Sequence, residues 1–345
     1  MIVLGIETSC DETSAGIVDG GRMLANVIAS QAELHGAYGG VVPEVAARRH
    51  IELIVPTIET ALREAKLTLA DLDGVAVTSH MGLVGSVTVG VSAAKAIAFA
   101  RGIPLVGLHH IEGHIYANYL EHPRLRPPFL CLTVSGGHTQ LVLVEGRWRY
   151  RQLGDTLDDS AGEAFDKIAR LLGLGFPGGP EIDRLAREGD RRAFAFPRPL
   201  ASARSYDFSF SGLKTAVKNA VRELERNGGS VPAADVAASL QEAIAEVLTK
   251  KALRAARDLG VDTLAVTGGV AANSRLRELL EQRTNEAGLR LVMPSKRLCT
   301  DNGAMIACAG YYRLRAGFRS PLDLDAQASA VLGEVEYEKR PRRRA

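Results

Sequence analysis

Two histidines in the stretch from Leu108 to Ala117 are spaced as metal ligands. His110 and His114 are four residues apart. On a helix this spacing is one turn plus about 40°, so both imidazoles can reach one point. Glu112 lies roughly 200° around the helix from His110, whereas the zinc-peptidase motif H-E-x-x-H needs its glutamate directly after the first histidine. The pattern predicts a two-histidine metal site without a peptidase base, and the alternative is a helix with two ordinary histidines.

A metal held by two imidazoles needs a further protein ligand. Asp301 is the candidate, in the sequence Cys299-Thr300-Asp301-Asn302-Gly303. It directly precedes an apolar pattern typical of a helix, so the alternative role for its carboxylate is that of an N-cap.

The composition indicates a globular protein of two domains. The chain has 345 residues, 46% hydrophobic and 24% charged, with a net charge of +2. This charge gives no overall field that would mark nucleic acid as a partner, although Arg340 and Arg342 to Arg344 form a basic C-terminal tail. Four scattered cysteines predict reduced thiols. With neither a basic leader nor a membrane-length apolar run, we expect a cytoplasmic protein without a membrane partner.

The chain contains an internal repeat. Three apolar runs within residues 2–29, with the polar turn Glu7 to Ser14 after the first, predict a β-meander. The pattern returns about 125 residues later, from Phe129 to Gly154, with the turn Ser135 to Gln140. Helix and strand patterns alternate after each meander. Helices are predicted at 43–66, 86–101, 160–172, 180–187, 212–225, 234–259, 273–286 and 302–315, and strands at 74–79, 104–108, 263–267 and 290–293.

A duplicated meander followed by α/β units predicts the α/β fold of the actin, sugar-kinase and heat-shock ATPase superfold, abbreviated ASKHA. That fold implies a nucleotide cleft between its halves. We expect an N-terminal domain over residues 1–128 that includes the histidine helix, a C-terminal domain over 129–330 with nucleotide-binding loops, and a basic tail over 331–345.

Two glycine turns are candidates for phosphate binding. Ser135-Gly136-Gly137 follows a buried strand, and Thr267 to Asn273 joins a strand to a helix. Such turns present backbone amides to an anion, although a tight turn needs glycine anyway. The glycine-rich loop from Gly173 to Pro180, flanked by Asp166 and Asp183, is either a ribose clamp or a surface loop. The absence of a G-K-[ST] lysine and of a G-x-S-x-G motif argues against a P-loop and a serine hydrolase.

Five motifs, in order over nearly the whole chain, resemble the bacterial TsaD family, also called Gcp, of tRNA adenosine threonylcarbamoyltransferases. They are Gly5 to Thr13, Lys95 to His114, Val134 to Thr139, Phe208 to Thr215 and Cys299 to Ala307. One departure is that His80 to Gly85 stands where the family usually has a Gly-Pro-Gly turn.

The resemblance implies that His110, His114 and Asp301 hold one divalent metal, with Fe²⁺ as the expected ion and Zn²⁺ as the alternative. It implies that threonylcarbamoyl-AMP donates its acyl group to the N6 amine of adenosine 37 in tRNAs reading ANN codons, with ATP or ADP as further occupants of the cleft. The residues implied to line the nucleotide are Thr133, Val134, Ser135, Gly136, Gly137, Asp166, Gly179, Asp183 and Asn273. The implied partners besides tRNA are a TsaB-like paralogue as heterodimer partner, a TsaE-like ATPase and an upstream threonylcarbamoyl-AMP synthase.

Asp11 and Glu12, on the first meander's turn, are the candidates for orienting or deprotonating the amine, although a polar turn alone would also explain them. Three other functions stay open at this point. One is a metallopeptidase of the O-sialoglycoprotein endopeptidase type, and another is an ATPase or small-molecule kinase of the same superfold. The third is a non-catalytic TsaB-like paralogue, which the histidine helix argues against.

Overall fold

The computed structural model describes residues 1–335 and 337–339. The arginines of the predicted basic tail, Arg340 and Arg342 to Arg344, lie outside the described residues. The strands are β1 Ile2–Glu7, β2 Glu12–Asp19, β3 Arg22–Ser30, β4 Gly74–His80, β5 Leu105–His109, β6 Phe129–Val134, β7 Thr139–Gly146, β8 Arg149–Asp155, β9 Thr263–Thr267, β10 Arg290–Val292, β11 Phe318–Arg319 and β12 Glu338–Lys339.

The α-helices of the described residues are α1 Ala32–Gly36, α2 Pro43–Ala65, α3 Val84–Arg101, α4 His110–Glu121, α5 Ala161–Leu171, α6 Gly178–Leu185, α7 Ser211–Arg226, α8 Ala233–Leu259, α9 Ser274–Glu286 and α10 Gly303–Arg315. Each predicted helix is present, with its ends displaced by at most two residues. The short helix α1 is not predicted by the sequence pattern.

The two five-stranded sheets have the same strand order, which confirms the internal repeat and the α/β superfold. The first sheet runs β3-β2-β1-β4-β5 and the second runs β8-β7-β6-β9-β10. In each sheet the three meander strands pair antiparallel, and the next strand pairs parallel to the first of them. The carboxyl ends of β1 and β4, and of β6 and β9, therefore meet at one edge of their own sheet, where such folds place ligands.

The chain divides into two compact units. The first unit is Met1–Leu125 together with the segment from Thr300 onward, and the second is Arg126–Cys299. Helix α10 lies against β1 and β2 because glycines leave room for it: a Cβ at Gly5 would be 2.2 Å from Ala307 N, and one at Gly16 would be 2.1 Å from Ala304 N. The predicted domains 1–128 and 129–330 therefore differ from these units in the placement of α10, since periodicity shows that a helix has a buried face but not which sheet covers it.

Within the described part of the chain, α3 is the one helix whose length and composition would let it cross a membrane. Core helices of soluble proteins pass the same test. Here Val87, Val91, Ala94 and Ala98 are buried in the core of the first unit.

Candidate functional site

The histidine helix α4 begins directly at the end of a buried strand. The strand β5 ends at His109, whose Nδ1 accepts a hydrogen bond from the Ile111 amide at 3.1 Å and so caps the helix. Nε2 of the same ring lies 3.0 Å from the carbonyl oxygen of Ala330. His110 is therefore the first residue of the helix, and both His110 and His114 are buried.

The structure brings the three predicted metal ligands together in the first unit. Asp301 Oδ1 lies 3.0 Å from His114 Nε2 and 3.6 Å from His110 Nε2. One ligand atom from each residue lies within 4.8 Å of the others. Both histidines are buried, whereas the Asp301 side chain keeps 17% of its surface exposed. Two buried imidazoles and one partly exposed carboxylate in this arrangement can hold a cation.

Asp301 is not the N-cap of α10. That role belongs to Asn302, whose Oδ1 accepts a hydrogen bond from the Met305 amide at 2.9 Å. The alternative role considered for Asp301 is therefore wrong, and its carboxylate faces the two histidines instead.

The His114 ring supports a metal at this position. Its side chain is fully buried, yet among the described residues neither ring nitrogen makes a hydrogen bond, although Nε2 lies 3.0 Å from Asp301 Oδ1. Buried polar atoms are nearly always satisfied, and an imidazole nitrogen without a hydrogen-bond partner can be satisfied as a metal ligand. Two imidazoles and a carboxylate are a donor set that suits Fe²⁺ or Zn²⁺.

Sequence reasoning missed Glu7, whose carboxylate contacts the His110 ring. His110 Nδ1 lies 3.1 Å from Glu7 Oε2 and 3.1 Å from Ser9 Oγ. Glu7 is fully buried at the end of β1 and accepts hydrogen bonds from Thr78 Oγ1 at 2.6 Å and from the Ser9 amide at 2.5 Å. A carboxylate behind a ligating histidine fixes its tautomer and orientation. The available signal was a charged residue ending an otherwise apolar strand.

The carboxylates of Glu7 and Asp301 stabilise positive charge at the His110 ring. Burial lowers the pKa of His110, but the charges of Asp301 and Glu7 outweigh burial and raise it to about 9. Burial alone would raise the pKa of Glu7, but the neighbouring His110 ring outweighs it and the pKa of Glu7 is lowered. The same field that holds a proton on His110 attracts a metal cation.

We expect Glu7→Gln to weaken metal binding by about 10- to 100-fold, because the amide keeps the shape of the side chain but removes the charge behind His110. Competition with a chromophoric chelator measures the dissociation constant. Glu44→Gln, an exposed position in the first turn of α2, is the matched control and should bind metal normally. An unchanged dissociation constant in Glu7→Gln would show that Glu7 does not support the ligand.

The predicted catalytic carboxyls Asp11 and Glu12 lie where β1 turns into β2, on the same edge as Glu7 and Ser9. Burial raises the pKa of Glu12 well above its usual range, and the charges of Asp11 and Asp301 raise it further. Ser9, on the same turn, contacts His110 Nδ1 through its hydroxyl at 3.1 Å. The structure therefore brings Asp11 and Glu12 to the same part of the first unit as the three predicted ligands.

Glu112 points away from the ligand group, as its position in the sequence predicts. Its carboxylate accepts hydrogen bonds from Arg313 Nε at 2.8 Å and from Arg313 Nη2 at 3.0 Å. Both side chains are buried. Glu112 is therefore half of an ion pair between α4 and α10, and not a base beside a metal.

In the second unit, the two glycine turns lie side by side. They follow the parallel strands β6 and β9, in which Thr133 is opposite Thr267. Gly268 has φ +94°, and a Cβ at that position would lie 2.3 Å from the Val134 carbonyl oxygen. The turn after β9 can therefore pack against the end of β6 only because residue 268 is glycine.

The turn Ser135-Gly136-Gly137 also lies against the N-terminus of α5. The Ser160 hydroxyl donates to the Gly136 carbonyl at 2.5 Å, and a Cβ at Gly162 would lie 2.4 Å from the Ser135 carbonyl oxygen. Gly136 and Gly137 are exposed, and a Cβ at either would meet nothing within 4 Å. Exposed glycine amides beside a helix N-terminus can bind a phosphate.

The remaining predicted nucleotide residues help to build the loops around these turns. Asp166 Oδ1 accepts from the Gly178 amide at 2.7 Å, and Asp183 Oδ1 accepts from Ser274 N and Oγ at 3.0 and 2.6 Å. Asn273 caps α9 through the Leu276 amide at 3.0 Å and donates to Gln241 Oε1 at 2.7 Å. Next to Gly178, a Cβ at Gly179 would meet nothing within 4 Å. Their nucleotide-binding role stays a prediction.

Comparison with solved structures shows the fold. Component A of (R)-2-hydroxyglutaryl-CoA dehydratase from Acidaminococcus fermentans aligns with a TM-score of 0.56 at 14% identity, over 91% of this chain and 99% of that one. HypF from T. kodakarensis aligns with a TM-score of 0.60 at 16% identity, over 91% of this chain and 47% of that one. The ROK hexokinase of Thermus thermophilus aligns with a TM-score of 0.50 at 17% identity, over 92% of this chain and 100% of that one.

Comparison of sequences shows the family. The family model "TsaD: tRNA N6-adenosine threonylcarbamoyltransferase" matches residues 22–308. The protein of that name from Nostoc sp. is 52% identical over 96% of this chain and 98% of the relative, and the one from Thermosynechococcus vestitus is 52% identical over 96% of this chain and 96% of the relative. The protein of that name from Clostridium botulinum is 50% identical over 96% of this chain and 98% of the relative. The resemblance noted in the sequence is confirmed, and the chain belongs to the TsaD family of tRNA N6-adenosine threonylcarbamoyltransferases.

Proposed function

We propose that this transferase moves the threonylcarbamoyl group from threonylcarbamoyl-AMP to the N6 amine of adenosine 37 in tRNAs reading ANN codons, and releases AMP. Family membership establishes tRNA threonylcarbamoylation as the activity. The observation that carries the proposed site is the buried group of His110, His114 and Asp301, in which the His114 nitrogens make no hydrogen bond among the described residues. We assign these three residues to a divalent metal.

The metal is proposed to be Fe²⁺, with Zn²⁺ as the alternative, because both accept two imidazoles and a carboxylate. When bound, it would supply Lewis-acid polarisation of an oxygen of the donor. Glu7 and Ser9 hold the His110 ring from behind, and Asp301 forms the partly exposed side of the group. These contacts keep the ligand atoms preorganised, which limits the cost of reorganisation during the reaction.

The adenylate part of the donor is assigned to the second unit. The exposed amides of Gly136 and Gly137 would bind its phosphate, together with Thr133, Val134 and Ser135, and the N-terminus of α5 would add a favourable dipole. Asp166, Gly179, Asp183 and Asn273 are proposed to surround the nucleoside. ATP and ADP carry the same chemical groups and would compete for these turns.

The transfer forms a bond between N6 of adenosine and the carbamoyl carbon and breaks the bond from that carbon to the AMP phosphate oxygen. The electron pair of the broken bond leaves with AMP, and N6 loses one proton. An aromatic amine is a weak nucleophile, so positioning contributes much of the rate. We assign the orientation of the amine and the acceptance of its proton to Asp11 and Glu12, which lie on the turn that follows Ser9, a contact of His110.

We expect Gly136→Ala to weaken ADP binding by about tenfold, or about 1.4 kcal/mol, because the added methyl group occupies the space proposed for phosphate. The free energy of unfolding should change by less than about 0.5 kcal/mol, because that methyl group touches nothing in the protein. Calorimetric titration with ADP measures the affinity. Gly212→Ala, also in open space, is the control and should bind ADP normally. Normal ADP affinity in Gly136→Ala would remove the turn from the nucleotide site.

We further propose that the protein works in the cytoplasm with a TsaB-like paralogue, a TsaE-like ATPase and a synthase that supplies the donor. The first unit has an exposed apolar pair that supports a protein partner: Ile51 and Val55, one turn apart on α2, are 65% and 57% exposed. Side chains of this kind form the centre of protein interfaces.

The test is to incubate the purified chain with threonylcarbamoyl-AMP and unmodified tRNA, with and without the proposed partners, and to analyse nucleoside digests by mass spectrometry. Threonylcarbamoyladenosine at position 37 is the expected product. Product at another nucleoside, or none with every partner present, would contradict the proposed reaction.

A further inference from the structure

His50 is a buried residue of α2 whose ring contacts the start of β2 and the turn before it. Its Nε2 lies 3.0 Å from the Cys10 carbonyl oxygen, and its Nδ1 lies 2.7 Å from Thr13 Oγ1. The residue is fully buried. These contacts join α2 to residues about forty positions earlier in the chain. The mechanism proposed above does not use them.

One protonation state satisfies both contacts. A carbonyl oxygen can only accept, so Nε2 must carry a hydrogen and donate to Cys10. Burial lowers the pKa of His50, which favours the neutral ring. In the neutral ring Nδ1 is then an acceptor, and the Thr13 hydroxyl donates to it. His50 is therefore fixed from both sides in a single orientation.

The peptide that His50 holds lies between the metal group and the acid pair. Ser9, directly before it, contacts His110 Nδ1 through its hydroxyl at 3.1 Å, and its carbonyl oxygen accepts the Leu83 amide at 2.8 Å. Asp11 follows directly after it. On the other side, the Asp11 carbonyl accepts from the Gln31 amide at 3.0 Å. The contact with His50 therefore holds the Cys10 carbonyl between these two backbone hydrogen bonds, on the segment that leads to the two carboxyls.

We propose that His50 is a positioning residue for the transfer, which holds the Cys10 carbonyl and thereby directs Asp11 and Glu12 toward the adenosine amine. This inference rests on the proposed function, which assigns that amine to the two carboxyls. His50 itself does not touch the substrate. A displacement of about 1 Å at a reacting group can lower a rate by about a hundredfold, so loss of this contact should lower kcat.

The test compares three variants of the full-length protein with its partners: His50→Ala, His50→Asn and His50→Gln. The amide nitrogen of glutamine reaches about as far as Nε2 and can donate to the Cys10 carbonyl, whereas that of asparagine reaches only about as far as Nδ1. We expect kcat to fall about 30- to 100-fold in the alanine and asparagine variants. It should recover to within about fivefold of the wild-type value in the glutamine variant, with KM for tRNA and donor and the bound metal unchanged in all three.

His35→Gln is the matched control. His35 is equally buried, in α1, but its Nδ1 accepts from the Val42 amide at 3.3 Å and not from the β1–β2 turn. It should lose stability without losing kcat. Equal losses of kcat in the glutamine and asparagine variants of His50, or normal kcat in His50→Ala, would overturn the inference.

Asp11→Asn and Glu12→Gln separate this inference from the assignment on which it rests. If both retain full activity, the assignment of the carboxyls fails and the inference fails with it. If either loses activity while His50→Ala retains it, only the inference fails. If His50→Ala does not fold, the inference is tested by comparing kcat of His50→Gln with that of His50→Asn. Both side chains are polar, but only the glutamine amide nitrogen extends as far as Nε2.

Discussion

His114→Ala is expected to abolish metal binding and to lower kcat/KM for tRNA by about a thousandfold or more. Two of the three proposed ligands would remain, and loss of several kcal/mol of Lewis-acid stabilisation corresponds to a rate effect of this size. The variant should still fold, because the His114 nitrogens make no hydrogen bonds within the described residues that the substitution could break. Elemental analysis of metal content and product analysis by mass spectrometry measure the two effects.

His122→Ala is the matched control for this prediction. His122 follows the last residue of the same helix, α4, outside the ligand group. It should retain the metal and the activity. A His114→Ala protein that lacks metal but modifies tRNA at the wild-type rate would show that the metal has no part in the transfer.

Glu112→Gln is expected to lower the free energy of unfolding by about 3–5 kcal/mol, because it removes the negative charge from the buried ion pair of Glu112 and Arg313. The Arg313 guanidinium also lies 4.3 Å from the Tyr337 ring centroid and 5.2 Å from that of Phe318, and the residue is buried. Urea denaturation measures the loss. The kcat of the folded protein should stay within about twofold of the wild-type value, because Glu112 is held by Arg313.

The control is Glu52→Gln, which removes the partner of Arg49 in an exposed ion pair whose glutamate side chain is 62% exposed. Such pairs contribute about 0–1 kcal/mol. Loss of kcat in Glu112→Gln with unchanged stability would indicate a glutamate with a chemical role, as the peptidase alternative requires.

The parts of the site that follow from local periodicity could be predicted from the sequence. The spacing of His110 and His114 requires only the geometry of one helix, and the same geometry places Glu112 on the opposite face. The two meanders could be recognised because each repeats the same order of apolar runs and polar turns. Asp301 was predicted as the third ligand, although the choice between ligand and N-cap needed the structure, which gives the cap to Asn302.

The parts that depend on tertiary contacts could not be predicted. Glu7 is buried at the end of a strand, and its role depends on the approach of α4, more than a hundred residues later. The hydrogen bond from His50 to the Cys10 carbonyl likewise joins a helix to a turn, and no pattern in the sequence relates the two. The sheet against which α10 packs is determined by glycines in β1 and β2. The need for glycine there can be recognised only once the helix is seen to lie against these strands.

The measurement that tests the central claim most directly is a titration of metal-stripped protein with Fe²⁺ and, separately, Zn²⁺, under anaerobic conditions and with all proposed partners present. The rate of threonylcarbamoyladenosine formation is recorded at each step together with the metal bound. We predict that the rate rises in proportion to bound metal and saturates at one ion per chain, and that His114→Ala shows neither effect. Full activity in the stripped wild-type protein, with no metal bound at any point, would contradict the account.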